Sequence, residues 1–143
     1  MSYAQEHDLD AAFGATEISQ LSDRDGNGTR DSGVIAVALG KADALIDSKL
    51  AARFALPLAS PYPPRLVDVA CDLARHELYI GPPPEHVQVR YALALKQLDA
   101  VRDGLETLGL DAGGQPVENE MVIDIQSAPT VFKREKRDPW GFY

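Results

Sequence analysis

With 143 residues, 45% of them hydrophobic and 25% charged, the chain has the size and composition of one globular domain, which excludes wholesale disorder. Its formal net charge of -8 disfavours free duplex DNA or an anionic membrane as the principal partner, because both reward positive fields. A single cysteine, Cys71, excludes an internal disulfide and a multi-cysteine zinc site, and it suits a core position in a reducing compartment.

In chain order, Glu6 to Phe13 reads as a short helix with Leu9 and Phe13 on one side and Gly14 as its stop. Thr16 is placed to cap a further turn through Gln20, with Ile18 and Leu21 folding back onto it. Such short pieces cannot stand alone and need something longer to lie on. From Ser32 to about Phe54, the residues Ile35, Ala38, Leu39, Ala42, Ile46, Leu50 and Phe54 recur at helical steps. Leu56-Pro57-Leu58 forces extended backbone, and Pro61, Pro63 and Pro64 stiffen the link to a second long helix. Its stripe is Leu66, Ala70, Leu73, Ala74, Leu78 and Tyr79, and the alanines allow a neighbour to approach closely. Gly81 and the three prolines after it end that helix. Val87, Tyr91, Ala94, Leu98, Val101, Leu105 and Leu108 then mark a third, closing near Gly109. No leader segment is expected at the N-terminus, and no apolar run has membrane-spanning length.

Beyond Gly113-Gly114, Met121, Ile123 and Ile125 alternate with Val122, Asp124 and Gln126, the period of a β-strand. A single strand needs a partner from this chain, another copy or another protein. After Pro129 come Phe132, Lys133, Arg134, Lys136, Arg137, Trp140, Phe142 and Tyr143, aromatic and basic groups interleaved where no core can form. Residues 1–125 carry 10 Lys+Arg against 20 Asp+Glu, whereas residues 126–143 carry 4 against 2, so a positive tail follows a negative body. These eight residues are the candidate partner-binding set. The expected fold is all-α: a small bundle of three long helices with short N-terminal helices, a late β-strand and an extended C-terminal arm. Residues 1–112 form the helical domain, and residues 113–143 form the strand and arm.

One stretch has a motif-like order of ligands. Asp23, Asp25, Asn27, Thr29 through its carbonyl, and Asp31 occupy the first, third, fifth, seventh and ninth positions of a calcium loop, with Gly28 at the sixth. The twelfth position is Val34 in place of the bidentate glutamate, and the eighth is Arg30 where an aliphatic residue is expected. Two readings stand: weak calcium binding, or a metal-free polar turn in which Asp31 or Ser32 caps the first long helix. Apart from calcium, no cofactor is expected. Asp43 with Asp47, and Asp68 with Asp72, are carboxylate pairs on one helix face at the four-residue spacing that a two-metal hydrolase could use, and Asp72 and His76 are also one turn apart with Glu77 beside them. The alternative for Asp47 and Asp72 is pairing with Arg53, Arg75 or Arg90 at helix contacts. No serine elbow, phosphate-binding glycine loop or zinc spacing is present, so the chain does not read as an enzyme.

The run from Ala42 to Leu58 followed by Pro64 to Tyr79 resembles the Mu-type gp36 family of phage and prophage neck proteins. The Asp-Arg-Asp-Gly-Asn-Gly loop, the Val87-to-Leu98 segment containing Arg90-Tyr91, and Phe132-Lys133-Arg134 extend the resemblance over nearly the whole chain. His76 departs from it, standing where tyrosine or phenylalanine is common. The terminal Pro139-Trp140-Gly141-Phe142-Tyr143 matches no shared motif. The family is similar in fold and role to the head-completion adaptors of long-tailed phages. The resemblance therefore implies a non-enzymatic adaptor that forms a homo-oligomeric, dodecameric ring in the virion neck, assembled in the host cytoplasm. By the same resemblance the ring sits between the portal protein and a tail terminator or tail-completion protein. It continues the channel for genomic DNA without sequence-specific binding and involves no membrane. The alternative from the residues themselves is a small acidic binding module responsive to calcium.

Overall fold

The computed structural model describes residues 2–110, which form five helices: α1 (Glu6–Phe13), α2 (Ala15–Ser22), α3 (Ser32–Leu50), α4 (Pro64–Leu78) and α5 (Glu85–Arg102). The two short helices arise from one glycine. Gly14, at φ 94, bonds its N–H back to Asp10 O at 2.9 Å and ends α1, while α2 begins at the next residue. Thr16 therefore lies inside α2 and does not cap it, because the chain reverses two residues earlier than its hydroxyl suggests.

The turn before α3 ends on Asp31, whose carboxylate accepts the Gly33 N–H at 2.9 Å and the Val34 N–H at 3.4 Å. This satisfies two of the donors that a helix start leaves open. Regular helix then ends at Leu50 instead of Phe54. The Phe54 N–H still reaches Leu50 O at 2.9 Å, but Pro57 lies ahead and pulls the chain toward extended backbone. Phe54 nevertheless stays buried. Pro64 opens α4, where its missing N–H costs nothing.

The third stripe is shorter than its periodicity suggests. It ends at Arg102, and Gly104, at φ 82, turns the chain so that Leu105 faces solvent while Leu108 and Leu110 fold back into the core. Gly109 is required there twice over. Its φ is 80, and a Cβ would stand 3.1 Å from the Pro63 Cβ, so the returning chain presses on the start of α4.

The core is one cluster. The largest helix contact is α3 on α4, with α5 laid across both, α1 against α4 and α3, and α2 on α1 and α3. Leu9 and Ile18 from the short helices join Ile35, Ile46, Leu66, Leu73 and Leu98 in full burial. The short helices thus gain in tertiary packing what their length denies them. Cys71 is buried with them, and burial pushes its thiol up to about 12, which leaves it unreactive at neutral pH.

The expected fold class needs correction. The described residues are all-α with five helices, and there is no β-strand or sheet among them. The strand expected over Met121–Ile125 lies outside the described residues, as does the arm after Pro129. The physical reason lies in the pattern: the apolar residues of the described chain recur at steps of three and four, which buries one face of a helix and gives no strand alternation. No described helix is long and apolar enough to cross a membrane.

Leu73 makes the packing measurable. Because it is wholly buried on α4 within the core, Leu73→Ala is expected to lower the unfolding free energy by about 2–5 kcal/mol through lost burial and a residual cavity. Urea unfolding followed by circular dichroism reads this as a lower midpoint at unchanged slope, and an unchanged midpoint would show the core there to be loosely packed.

Candidate assembly surfaces

Polar side chains on this body are organised by three arginines. Arg30, at the end of the loop before α3, donates to Glu6 Oε1 at 2.8 Å and to the two Asp10 oxygens at 2.9 and 2.8 Å. It also reaches Ala15 O at 3.0 Å and Ser19 Oγ at 3.1 Å. A planar guanidinium is the side chain suited to so many acceptors at once. The Asp10 hydrogen bonds, then those of Glu6, raise its pKa further and keep it charged throughout the working range. The position at which the loop departs from the calcium pattern is thus a clamp joining the loop to α1 and α2.

Arg75 is buried on α4, with Nη2 2.6 Å from Glu17 Oε1 and the guanidinium 4.2 Å from the centre of the Phe13 ring. Arg90 on α5 sits 2.8 Å from Asp72 Oδ1, an ion pair whose hydrogen-bond alignment is poor, and 5.5 Å from the same Phe13 ring. Burial pushes the Asp72 carboxyl above its ordinary value, and Arg90 works against that shift. His76, one turn on, stacks its ring on Tyr91 at 3.8 Å and 19°, so a flat imidazole occupies the aromatic place in the α4–α5 contact.

These placements separate the residues that sequence spacing grouped together. Asp43 accepts the Tyr3 N–H at 3.0 Å, and Asp47 accepts the Tyr3 hydroxyl, fastening the N-terminal segment to α3. Asp72 faces Arg90 across the α4–α5 contact. The four candidate hydrolase residues therefore fall into two separate places, Asp43 and Asp47 on Tyr3 and Asp72 and His76 at the α4–α5 contact. Of the arginine pairings, Asp72 with Arg90 is found, but Asp47 pairs with Tyr3, Arg75 with Glu17, and Arg53 donates to Val101 O at 2.8 Å.

In the loop, Asp23 accepts the N–H groups of Asn27 at 3.1 Å and Gly28 at 2.8 Å, and Asn27 Oδ1 accepts the Thr29 N–H at 2.9 Å. Asp31 is turned onto α3. These carboxylates serve the loop's own backbone, and among the described residues no three His, Cys, Asp or Glu side chains converge as a metal group would. The eight candidate partner-binding residues, Phe132 to Tyr143, lie outside the described residues.

What spacing missed are the apolar side chains left in solvent. Val37 on α3 is 60% exposed, Val89 and Leu93 on α5 are 51% and 53%, and Ile80 and Leu105, just past α4 and α5, are both 84%. Beside Val37 lies an open depression of about 380 Å³ walled by Arg24, Asp31, Gly33, Val34, Lys41 and Glu77. The available signal was an apolar residue off the buried stripe. Val89 and Leu93 stand one turn apart on a face shared by neither Val87 nor Leu98.

A family model described as Bacteriophage Mu, Gp36 matches residues 3–126. Gene product J of Escherichia phage Mu is 34% identical over 140 residues, an alignment spanning 96% of this chain and 98% of that protein.

Two measurements check the ionic organisation. Arg30→Met should cost on the order of 1–3 kcal/mol in urea unfolding, discounted for partial solvent exposure, with Arg30→Lys recovering only part because an ammonium cannot span both carboxylates. Equal stability of all three chains would refute the clamp. Asp99, which accepts the Lys49 ammonium at 2.6 Å, is held below its ordinary value of 3.8 chiefly by that bond. The pair's stabilisation is therefore full above the unfolded value and is lost as pH falls through the lower folded one. In Lys49→Met, an NMR titration of the Asp99 carboxyl should move upward toward the ordinary value, and an unmoved titration excludes the coupling.

Proposed function

The chain belongs to the Bacteriophage Mu Gp36 family of structural phage neck, or head-completion, proteins, which are not enzymes, and on that premise we propose that it works as one subunit of a neck ring. In this reading twelve copies assemble in the host cytoplasm between the portal and a tail terminator or tail-completion protein. The helical bodies space the ring and continue the DNA channel.

The observation that carries the reading is the distribution of exposed apolar side chains. Val37 lies on α3, Val89 and Leu93 on α5, and Ile80 and Leu105 beyond the helix ends, so different faces of one small body ask to be covered. A closed ring of more than two copies needs this property, since each subunit presents two unlike surfaces to its neighbours. An acidic body suits a channel component as well, because strong phosphate contacts would brake passing DNA. The C-terminal arm supplies a separate anchor. Its Lys133, Arg134, Lys136 and Arg137 match acidic surface, and Phe132, Trp140, Phe142 and Tyr143 have the chemistry of side chains that dominate interfaces. The arm docks on the portal or on an adjacent subunit.

Cryo-electron microscopy of particle necks is expected to show this chain in a closed ring adjoining the portal. A neck that lacks the chain, or holds a single copy, overturns the reading. Deleting residues 129–143 should leave a body with unchanged helical circular dichroism that no longer co-purifies with necks, and retention equal to that of the intact chain would remove the arm from the docking mechanism.

A further inference from the structure

We infer that the contact between neighbouring subunits is an antiparallel packing of α5 from one copy on α3 of the next, a proposal that rests on the ring reading and gives its interface a register. The outer face of α3 is nearly bare. Gly33, Val37, Gly40 and Ala44 recur at steps of three and four and all are exposed, and a Cβ added at Gly40 would meet nothing within 4 Å. Backbone can therefore approach backbone there, beside the depression that opens at Val37. That depression is walled by α3, α4 and the preceding loop, with no residue of its own subunit's α5, so it stands open to a helix from another copy.

The outer face of α5 is the complement. Glu85, Val89, Leu93 and Lys96 recur at the same helical steps, all exposed, and present two aliphatic knobs between an acid and a base. On α3 the order is acid, knob, base: Asp31, Val37, Lys41. Glu85 and Lys96 are separated by roughly 16 Å of helix and Asp31 and Lys41 by roughly 15 Å, from the rise per residue. Run antiparallel, the two faces set Glu85 against Lys41 and Lys96 against Asp31 while Val89 lies over Val37 and Leu93 over Gly33. Run parallel, like charges meet at both ends. Glu85 and Lys96 enter no ion pair among the described residues, and Lys41 is held only loosely, 3.5 Å from Glu77. Because a different surface is used on each copy, the contact is head-to-tail and propagates around a ring.

Particles made by the phage that encodes the chain, supplied with full-length Val37→Cys/Val89→Cys protein and mildly oxidised, test the pairing. A ladder of multimers on a non-reducing gel, collapsing to monomer on reduction and absent from either single-cysteine variant, is expected if the two positions come within disulfide reach. Cys71, buried and with a raised pKa, stays out of the reaction. Monomer alone from particles that contain the double variant, or dimer from Val89→Cys by itself, overturns the proposal. The ring reading fails separately, when quantitative mass spectrometry counts one copy of the chain per particle. Charge reversal reads the same contact without cysteines: Lys41→Glu should reduce infectious titre and Glu85→Lys in the same chain should restore it. Failure of that restoration excludes the antiparallel register.

Discussion

The close approach of α3 and α4 is the constraint on which the other elements rely. Ala38 and Ala42 on one helix and Ala70 and Ala74 on the other are buried, so the two backbones can draw together while Ile35, Ile46, Leu66 and Leu73 fill the flanks. Everything else is laid on that pair. α5 completes the long-helix core with Ala94, Leu98 and Val101. α1 and α2, each of eight residues, exist as helices because the pair offers them a surface for Leu9 and Ile18.

Around this apolar centre the charged groups act as fasteners between elements that share little core. Arg30 joins the loop to both short helices, Arg75 ties α4 to α2 through Glu17, Arg90 ties α5 to α4 through Asp72, and Lys49 ties α3 to α5 through Asp99. Most are partly exposed, so each adds modest stability, but together they fix where each short piece sits. This explains how an acidic chain without a convergent polar site still has an ordered polar exterior. Its carboxylates are spent on geometry.

The long helices were legible because their stripes are long and regular, so one missed turn at either end does not hide them. Ile35 to Leu50 and Leu66 to Leu78 are found where the spacing put them. Errors fell at ends, where a single residue decides. Pro57 shortened α3, Gly104 shortened α5 and redirected Leu108 inward, and Gly14 started α2 without help from Thr16. The loop was half legible: Asp31 caps α3 as its position suggests, but the bonding of Arg30 to residues twenty and more positions away leaves no local trace. The assembly faces were hidden for another reason. Exposure of Val37 or Leu93 depends on which stripe is buried, and a chain rich in alanine and valine on both sides of a helix does not declare that by composition.

The ends of the helices also give the body a polarity. The start of α3, the end of α4 and the start of α5 gather near one pole, where Asp31, Val37, Glu77 and Glu85 lie. The end of α3, the start of α4 and the end of α5 form the other, where Arg53 closes on Val101 and Gly109 presses against Pro63. Leu110, the last described residue, is buried at that second pole. A pull applied through the segment beyond it would therefore load the far end of the same long helices whose near ends carry the apolar faces. In the proposed ring such a layout would make the body a strut, with load entering at one end and lateral seating at the other, so that neither task has to disturb the other's surface.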